Sequence, residues 1–125
     1  MTLAFRNRLL RSLPRSSLER LVAVGQMVEL PLRQTLVAPG QTTEAVYFLE
    51  AGLASVVASS ESRVEQIEVG HIGFEGMAGL HVLLGADRTP THTFMQVAGS
   101  GWQVPAAAFR SALNEDPALR DRLLL

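Results

Sequence analysis

The sequence has 125 residues, enough for one compact core and too few for two ordinary domains. With 47% hydrophobic and 18% charged residues and a formal net charge of -1, the composition is that of a folded globular chain with no general electrostatic pull toward nucleic acid. The absence of cysteine excludes disulfides, thiolate metal sites and cysteine-ligated iron–sulfur sensing.

All 11 cationic residues are arginine, and Arg6, Arg8, Arg11, Arg15, Arg20 and Arg33 lie near the N-terminus. This bias reads as codon usage in a GC-rich genome, with a basic binding face as the lesser reading. No apolar run approaches the ~18 residues of a membrane span, and MTLAFRNRLLRSLPRS has neither a signal-peptide core nor a cleavage pattern. The cytoplasm is therefore the expected compartment.

In chain order, the first segment (1–26) is helical. Phe5, Leu9, Leu10 and Leu13 recur at helix spacing, Pro14 interrupts, and Ser16 to Glu19 has the S-x-x-E form of a capping box. Leu18, Leu21 and Val22 form the apolar side of the second helix. After Gly25 the period changes to two, with Val28, Leu30 and Leu32 alternating with Glu29 and Pro31. Short strands are then expected at Thr35 to Val37, Val46 to Leu49, Leu53 to Ala58 and Val64 to Val69, with turns at Pro39-Gly40, Ala51-Gly52 and Ser59 to Ser62. A further pair, Thr91 to Val97 and Trp102 to Val104, is separated by Gly99-Ser100-Gly101. Strands at this spacing predict a sandwich, barrel or jelly roll over 27–104.

The last segment (105–125) returns to helix. Pro105 opens AAAFRSALNED, and Asp116-Pro117 pairs an N-cap residue with proline at the first helical position. Leu119, Leu123 and Leu124 begin an apolar stripe just as the sequence ends, which points to a helix continuing beyond residue 125.

Pro39-Gly40 followed by Val46-Tyr47-Phe48-Leu49 and Gly52 matches the pattern of a glycine, a hydrophobic run with one central aromatic, and a second glycine. With the helical start and the later glycine loop, the chain resembles the N-terminal effector domain of the Crp/Fnr (catabolite-activator) family of bacterial transcription regulators, from about Arg8 to Leu125. The resemblance implies a mainly β domain with flanking α-helices, a double-stranded β-helix (jelly roll) of the cyclic nucleotide-binding type. Independently of any family, Gly40 and Gly52 fall where the pattern puts strand ends, and a reversal there often needs φ > 0.

In that family a cassette F-x-G-E-x-A/G-L, followed by R-S/T-A, holds the ligand. A glutamate accepts the ribose hydroxyl, an arginine pairs with the cyclic phosphate, and helix-start amides complete an anion nest. FEGMAGL, Phe74 to Leu80, overlays the first motif within the loop 73–90. Gly76, Gly79 and Leu80 fall on family positions, but Met77 occupies the glutamate position, and Glu75 lies two residues earlier. Arg88-Thr89 matches the second motif, with Pro90 where alanine is usual and a backbone N–H therefore missing.

The ligand-binding residues implied are thus Glu75, Gly76, Met77, Ala78, Arg88 and Thr89. The ligand implied is a cyclic nucleotide (cAMP or cGMP) or another small anionic effector. Read without the family, Arg88 is equally a surface arginine beside Asp87, Glu75 a solvated loop acid, and Met77 a core residue that fills the pocket. A bound cyclic nucleotide, a different small ligand and an emptied pocket all stay open.

Catalysis finds little support. His71, His81 and His92 do not form the H-x-H pattern of a metal-binding jelly roll, and no serine sits in a G-x-S-x-G elbow. Trp102, the single tryptophan, reads as a core or interface aromatic. The expected function is effector sensing and dimerisation in a transcription regulator, not enzymatic. Leu119, Leu123 and Leu124 would start a dimer seam of a homodimer, and DNA would be reached through a helix-turn-helix beyond residue 125. The alternative is a ligand-free interaction or dimerisation module on the same fold.

Overall fold

The computed structural model describes residues 4–59 and 66–124. Its elements run α1 (Arg8–Ser12), α2 (Arg15–Val24), β1 (Gln26–Leu30), β2 (Thr35–Val37), β3 (Ala45–Ser59), β4 (Gln66–Ile72), β5 (Met77–Ala78), α3 (Leu80–Leu83), β6 (His92–Pro105), α4 (Ala106–Glu115) and α5 (Pro117–Leu123). The strands form one antiparallel sheet in the order β1-β6-β3-β4, with β2 added to β6 and β5 to β3.

The sheet is organised around its two long strands. The sequence predicts turns at Ala51-Gly52 and at Gly99 to Gly101, but the chain runs through both, and each pair of expected strands is a single strand, β3 or β6. At the crossing, the register between them slips at Leu49/Ala51, Ala51/Leu53 and Leu53/Ala54. Such bulges bend a strand sharply without ending it. Both glycines are needed for this approach: a Cβ on Gly52, at φ 88°, would lie 2.6 Å from the Val97 carbonyl oxygen, and one on Gly99 would lie 2.0 Å from that of Ala51. Gly40 also takes a positive φ, 72°. The expected serine-rich turn after Ser59 lies outside the described residues.

Alternation along β3 buries both faces. Val46 and Phe48 join a core shared with the helices, together with Leu10, Leu21, Trp102, Val104, Phe109 and Leu119. Tyr47 and Leu49 face a second core inside the roll, with Leu30, Leu36, Ala54 and Met95. Phe48 and Phe109 meet edge to face, as do Phe5 and Trp102, and Trp102 Nε1 donates to the Leu21 carbonyl at 3.1 Å. The aromatic core role read for Trp102 is the one the structure shows.

The helix ends follow local chemistry. Asn7 caps α1, its Oδ1 accepting from the amides of Leu9 and Leu10. The second helix starts one residue before Ser16, directly after Pro14, without a side-chain cap. The expected capping box is therefore not formed, and Glu19 pairs with Arg15 one turn earlier, at 3.1 Å. Asp116 caps α5 as the sequence predicts, with Oδ1 accepting from Leu119 N at 3.2 Å and Pro117 in the first turn. Its Oδ2 also accepts from the buried Ser17 hydroxyl at 2.7 Å, tying α5 to α2.

Of the three residues expected at a dimer seam, Leu119 and Leu123 are buried in the chain's own core, because α5 packs back on α4. Leu124 is exposed.

Candidate ligand-binding site

A cavity of about 410 Å³ opens between the loop 73–91 and the half of the roll beyond the glycine crossing, within the size range of small-molecule pockets. Its walls are aliphatic where Val37, Val56, Ile72, Met77, Leu80 and Leu84 reach it. Among the described residues the polar side chains of the wall are those of His81, Thr89, Thr91 and Thr93, and Gly70 and Gly79 line it with backbone.

The loop is held in place from both sides. Gly79, at φ 95°, turns β5 into α3, and a Cβ there would lie 2.8 Å from Val46 Cγ1. Gly85, also in the left-handed region, ends the short helix, with Ala86 N donating to the His81 carbonyl at 2.8 Å. The following segment is stitched to residues 40–43: Gly40 N donates to the Thr89 carbonyl and Thr43 N to that of Asp87, each at 2.8 Å.

On the other flank, Arg8 N donates to the Phe74 carbonyl at 2.8 Å, and the Arg6 and Arg8 guanidinium groups lie over the Phe74 ring. Fully buried Asn7 donates through Nδ2 to the carbonyls of Leu49 and Gly76, both at 2.8 Å. The buried Glu50 carboxylate in turn accepts from the amides of Arg6 and Asn7. This node fixes the base of the loop to β3 and to the N-terminal segment.

The sequence-derived ligand residues separate into two groups. Met77 pairs with Phe48 across β5 and β3, is 5% exposed, and forms part of the cavity wall without closing it. Thr89 also lines the cavity, its hydroxyl 3.1 Å from that of Thr91. Ala78 is buried opposite Tyr47, in the core of the roll. Gly76 turns its carbonyl to Asn7. Glu75 is exposed and folds back so that Oε1 accepts from Gly73 N at 3.0 Å. Arg88 lies on the surface, with Nη2 donating to Thr42 Oγ1 at 3.2 Å and Nε 3.6 Å from Asp87 Oδ1. Neither Glu75 nor Arg88 lines the cavity.

His81 is the titratable group of the wall. Its Nε2 is 2.6 Å from Thr43 Oγ1. Desolvation, and then the charge of Arg110, lower its pKa from the ordinary 6.5, against an opposing pull from Asp87. The shift favours the neutral ring, in which one nitrogen donates and the other accepts.

Among the described residues no group of three His, Cys, Asp or Glu side chains is placed to hold a metal ion, and His71 pairs with Glu68 on its own strand. Sequence reasoning did not single out the aliphatic wall or His81 as ligand residues. The period-two threonines at 89, 91 and 93 were the signal that could have found the polar side.

No family model matches the sequence, and no curated protein matches it. Solved structures do. The sensor domain of the transcriptional regulator DNR from Pseudomonas aeruginosa aligns with a TM-score of 0.74 at 15% identity, covering 94% of this chain and 78% of that one. The Thermus thermophilus catabolite activator protein aligns at 0.76 and 12% identity, covering 94% of this chain and 55% of that one. This chain has the cyclic nucleotide-binding fold.

The same fold relates it to the regulatory subunit of a cAMP-independent protein kinase A from Trypanosoma cruzi bound to guanosine, at a TM-score of 0.76 and 16% identity over 92% of this chain and 39% of that one. Its neighbours within the cyclic nucleotide-binding fold are thus sensor or N-terminal domains of Crp/Fnr-type regulators and nucleotide-binding regulatory proteins. Among the described residues no helix is long and apolar enough to cross a membrane.

Proposed function

We propose that this chain is the effector-sensing domain of a bacterial Crp/Fnr-type transcription regulator and that a small ligand in the cavity is its signal. The observation that carries this reading is the position of the cavity. It lies against the loop that resembles the family's phosphate cassette, in a fold that neighbouring structures use for sensing and regulation. The role is binding, not catalysis.

The signal would leave through the helices. The outer face of α3 and the exposed Leu124 at the end of α5 are the surfaces through which a ligand-dependent shift would reach a second copy of the chain. Dimerisation on a continuation of α5 and DNA binding through a separate domain complete the proposed regulator. A ligand acts here only through its different affinity for the two states of the loop.

A second reading, a ligand-free interaction module, is favoured by the apolar collar at the cavity mouth, where Val69, Leu80 and Leu84 are each more than half exposed. Melting-temperature shifts with a panel of cyclic mononucleotides, nucleosides and neutral metabolites separate the two. A shift from any class that is lost when Val56→Trp fills the cavity supports sensing. A shift with cAMP or cGMP that is lost in Arg88→Ala identifies a cyclic nucleotide held as the family resemblance implies. Silence of the whole panel at millimolar concentration sinks the sensing reading and leaves the interaction module.

A further inference from the structure

This inference rests on the sensing reading above and names the chemistry of the ligand. Among the described residues the cavity wall carries no ionised side chain. Arg88 is engaged with Thr42 and Asp87 at the surface, and Glu75 is folded onto Gly73. Among the described residues its polar side chains are the three threonine hydroxyls and the imidazole of His81. Hydroxyls and a neutral ring can satisfy a carbonyl, hydroxyl or amine. They do not replace the hydration of a phosphate, whose burial away from a cation is strongly unfavourable.

The rest of the wall is aliphatic, from Val37 and Val56 on one side to Ile72, Met77, Leu80 and Leu84 on the other. Such a surface gains from covering apolar area. Among the described residues His81 Nε2 is bound to Thr43, while Nδ1 has no protein partner. One ring nitrogen is therefore left for a ligand group.

We propose that the cavity takes an uncharged, largely apolar small molecule with one hydrogen-bonding group, read by His81 and the threonines at the start of β6, in place of a cyclic nucleotide. Specificity then comes from shape along the aliphatic wall and from one polar contact.

The test uses two fluorescent probes of one skeleton, neutral N-phenylnaphthylamine and its sulfonated counterpart anilinonaphthalene sulfonate, titrated into the whole chain. The expected result is tighter binding of the neutral probe by about tenfold or more, a difference of about 1.4 kcal/mol per decade. Val56→Trp should abolish this binding, and millimolar cAMP or cGMP should not displace the probe.

Leu84→Arg places a cation at the exposed rim without touching the core, and should narrow the gap between the probes. That variant keeps the test intact if Val56→Trp does not fold. Equal or tighter binding of the sulfonated probe, or displacement of the neutral probe by a cyclic nucleotide, overturns the ligand class and leaves the sensing reading standing. Neutral-probe binding that Val56→Trp leaves unchanged, with the nucleotides also silent, overturns both.

Discussion

The two halves of the β3–β6 pair are built from the same strands and held in different ways. Before the glycine crossing on β3, alternate residues enter two cores: Phe48 packs on Phe109 and Leu49 fills the roll. The neighbouring polar groups there are matched, with Glu50 on the Arg6 and Asn7 amides and Asn7 on Leu49 and Gly76. Beyond the crossing, Val56 and Thr93 face a cavity, and the loop that closes it presents Leu80 and Leu84 to solvent. The half whose alternate residues are buried in two cores supplies stability, while the half with an unfilled apolar wall keeps binding free energy available for a ligand. The bend at Gly52 and Gly99 lets one pair of strands serve both purposes.

The largest expected effect lies in the packed half. Phe48→Ala removes a fully buried ring from the helix-side core and should cost about 3–5 kcal/mol in chemical denaturation, whereas Val56→Ala on the half-buried cavity wall should cost less than about 1 kcal/mol. Similar losses at the two sites would erase the contrast.

Next comes the polar node. Asn7→Ala leaves the Leu49 and Gly76 carbonyls and two α1 amides without their partner, with an expected loss of about 2–3 kcal/mol at typical costs for buried unmatched groups. Hydrogen exchange in α1 should rise with it. A loss confined to α1 fraying, with no change in global stability, would show that the node does not anchor the loop.

The smallest effects are in pH. Ser17 first, then the Leu119 amide and Arg20, hold the Asp116 carboxyl below its ordinary 3.8, against a desolvation contribution that acts the other way. Its contribution is present above that value and is lost as pH falls through the lower folded pKa. His81, with its folded pKa below 6.5, also contributes a loss of stability as pH falls below 6.5, because the unfolded chain takes up the proton first. The two windows separate by mutation: Asp116→Asn should flatten the acidic one and His81→Gln the one nearer neutrality, both read from melting temperature against pH.

Much of this was legible in the sequence wherever the signal was local. The strand Thr35–Val37 falls on its expected bounds, and the Asp116-Pro117 start of α5 is a cap that the structure forms. Gly52 and Gly99 were read as turn residues because a bulge and a turn use the same permissive residue. Only the pairing of β3 with β6 distinguishes them. The Asn7–Glu50 node was invisible because its partners are 43 residues apart, and nothing local marks a buried acid. In the candidate site the loop is marked in the sequence by Gly76, Gly79 and Leu80 and by Arg88-Thr89, with Met77 as the departure from the pattern. The aliphatic wall was not, because Val56 and Ile72 look like any strand residues until the sheet is folded over them.

The most direct measurement is amide hydrogen exchange of the whole chain with and without saturating N-phenylnaphthylamine. Slowed exchange confined to the segment 79–93 and the facing part of β3 around Val56, with the amides of 46–49 and 102–104 unchanged, is the result expected if the cavity half is the responsive half. Protection spread evenly over both halves, or confined to the helices, would contradict it.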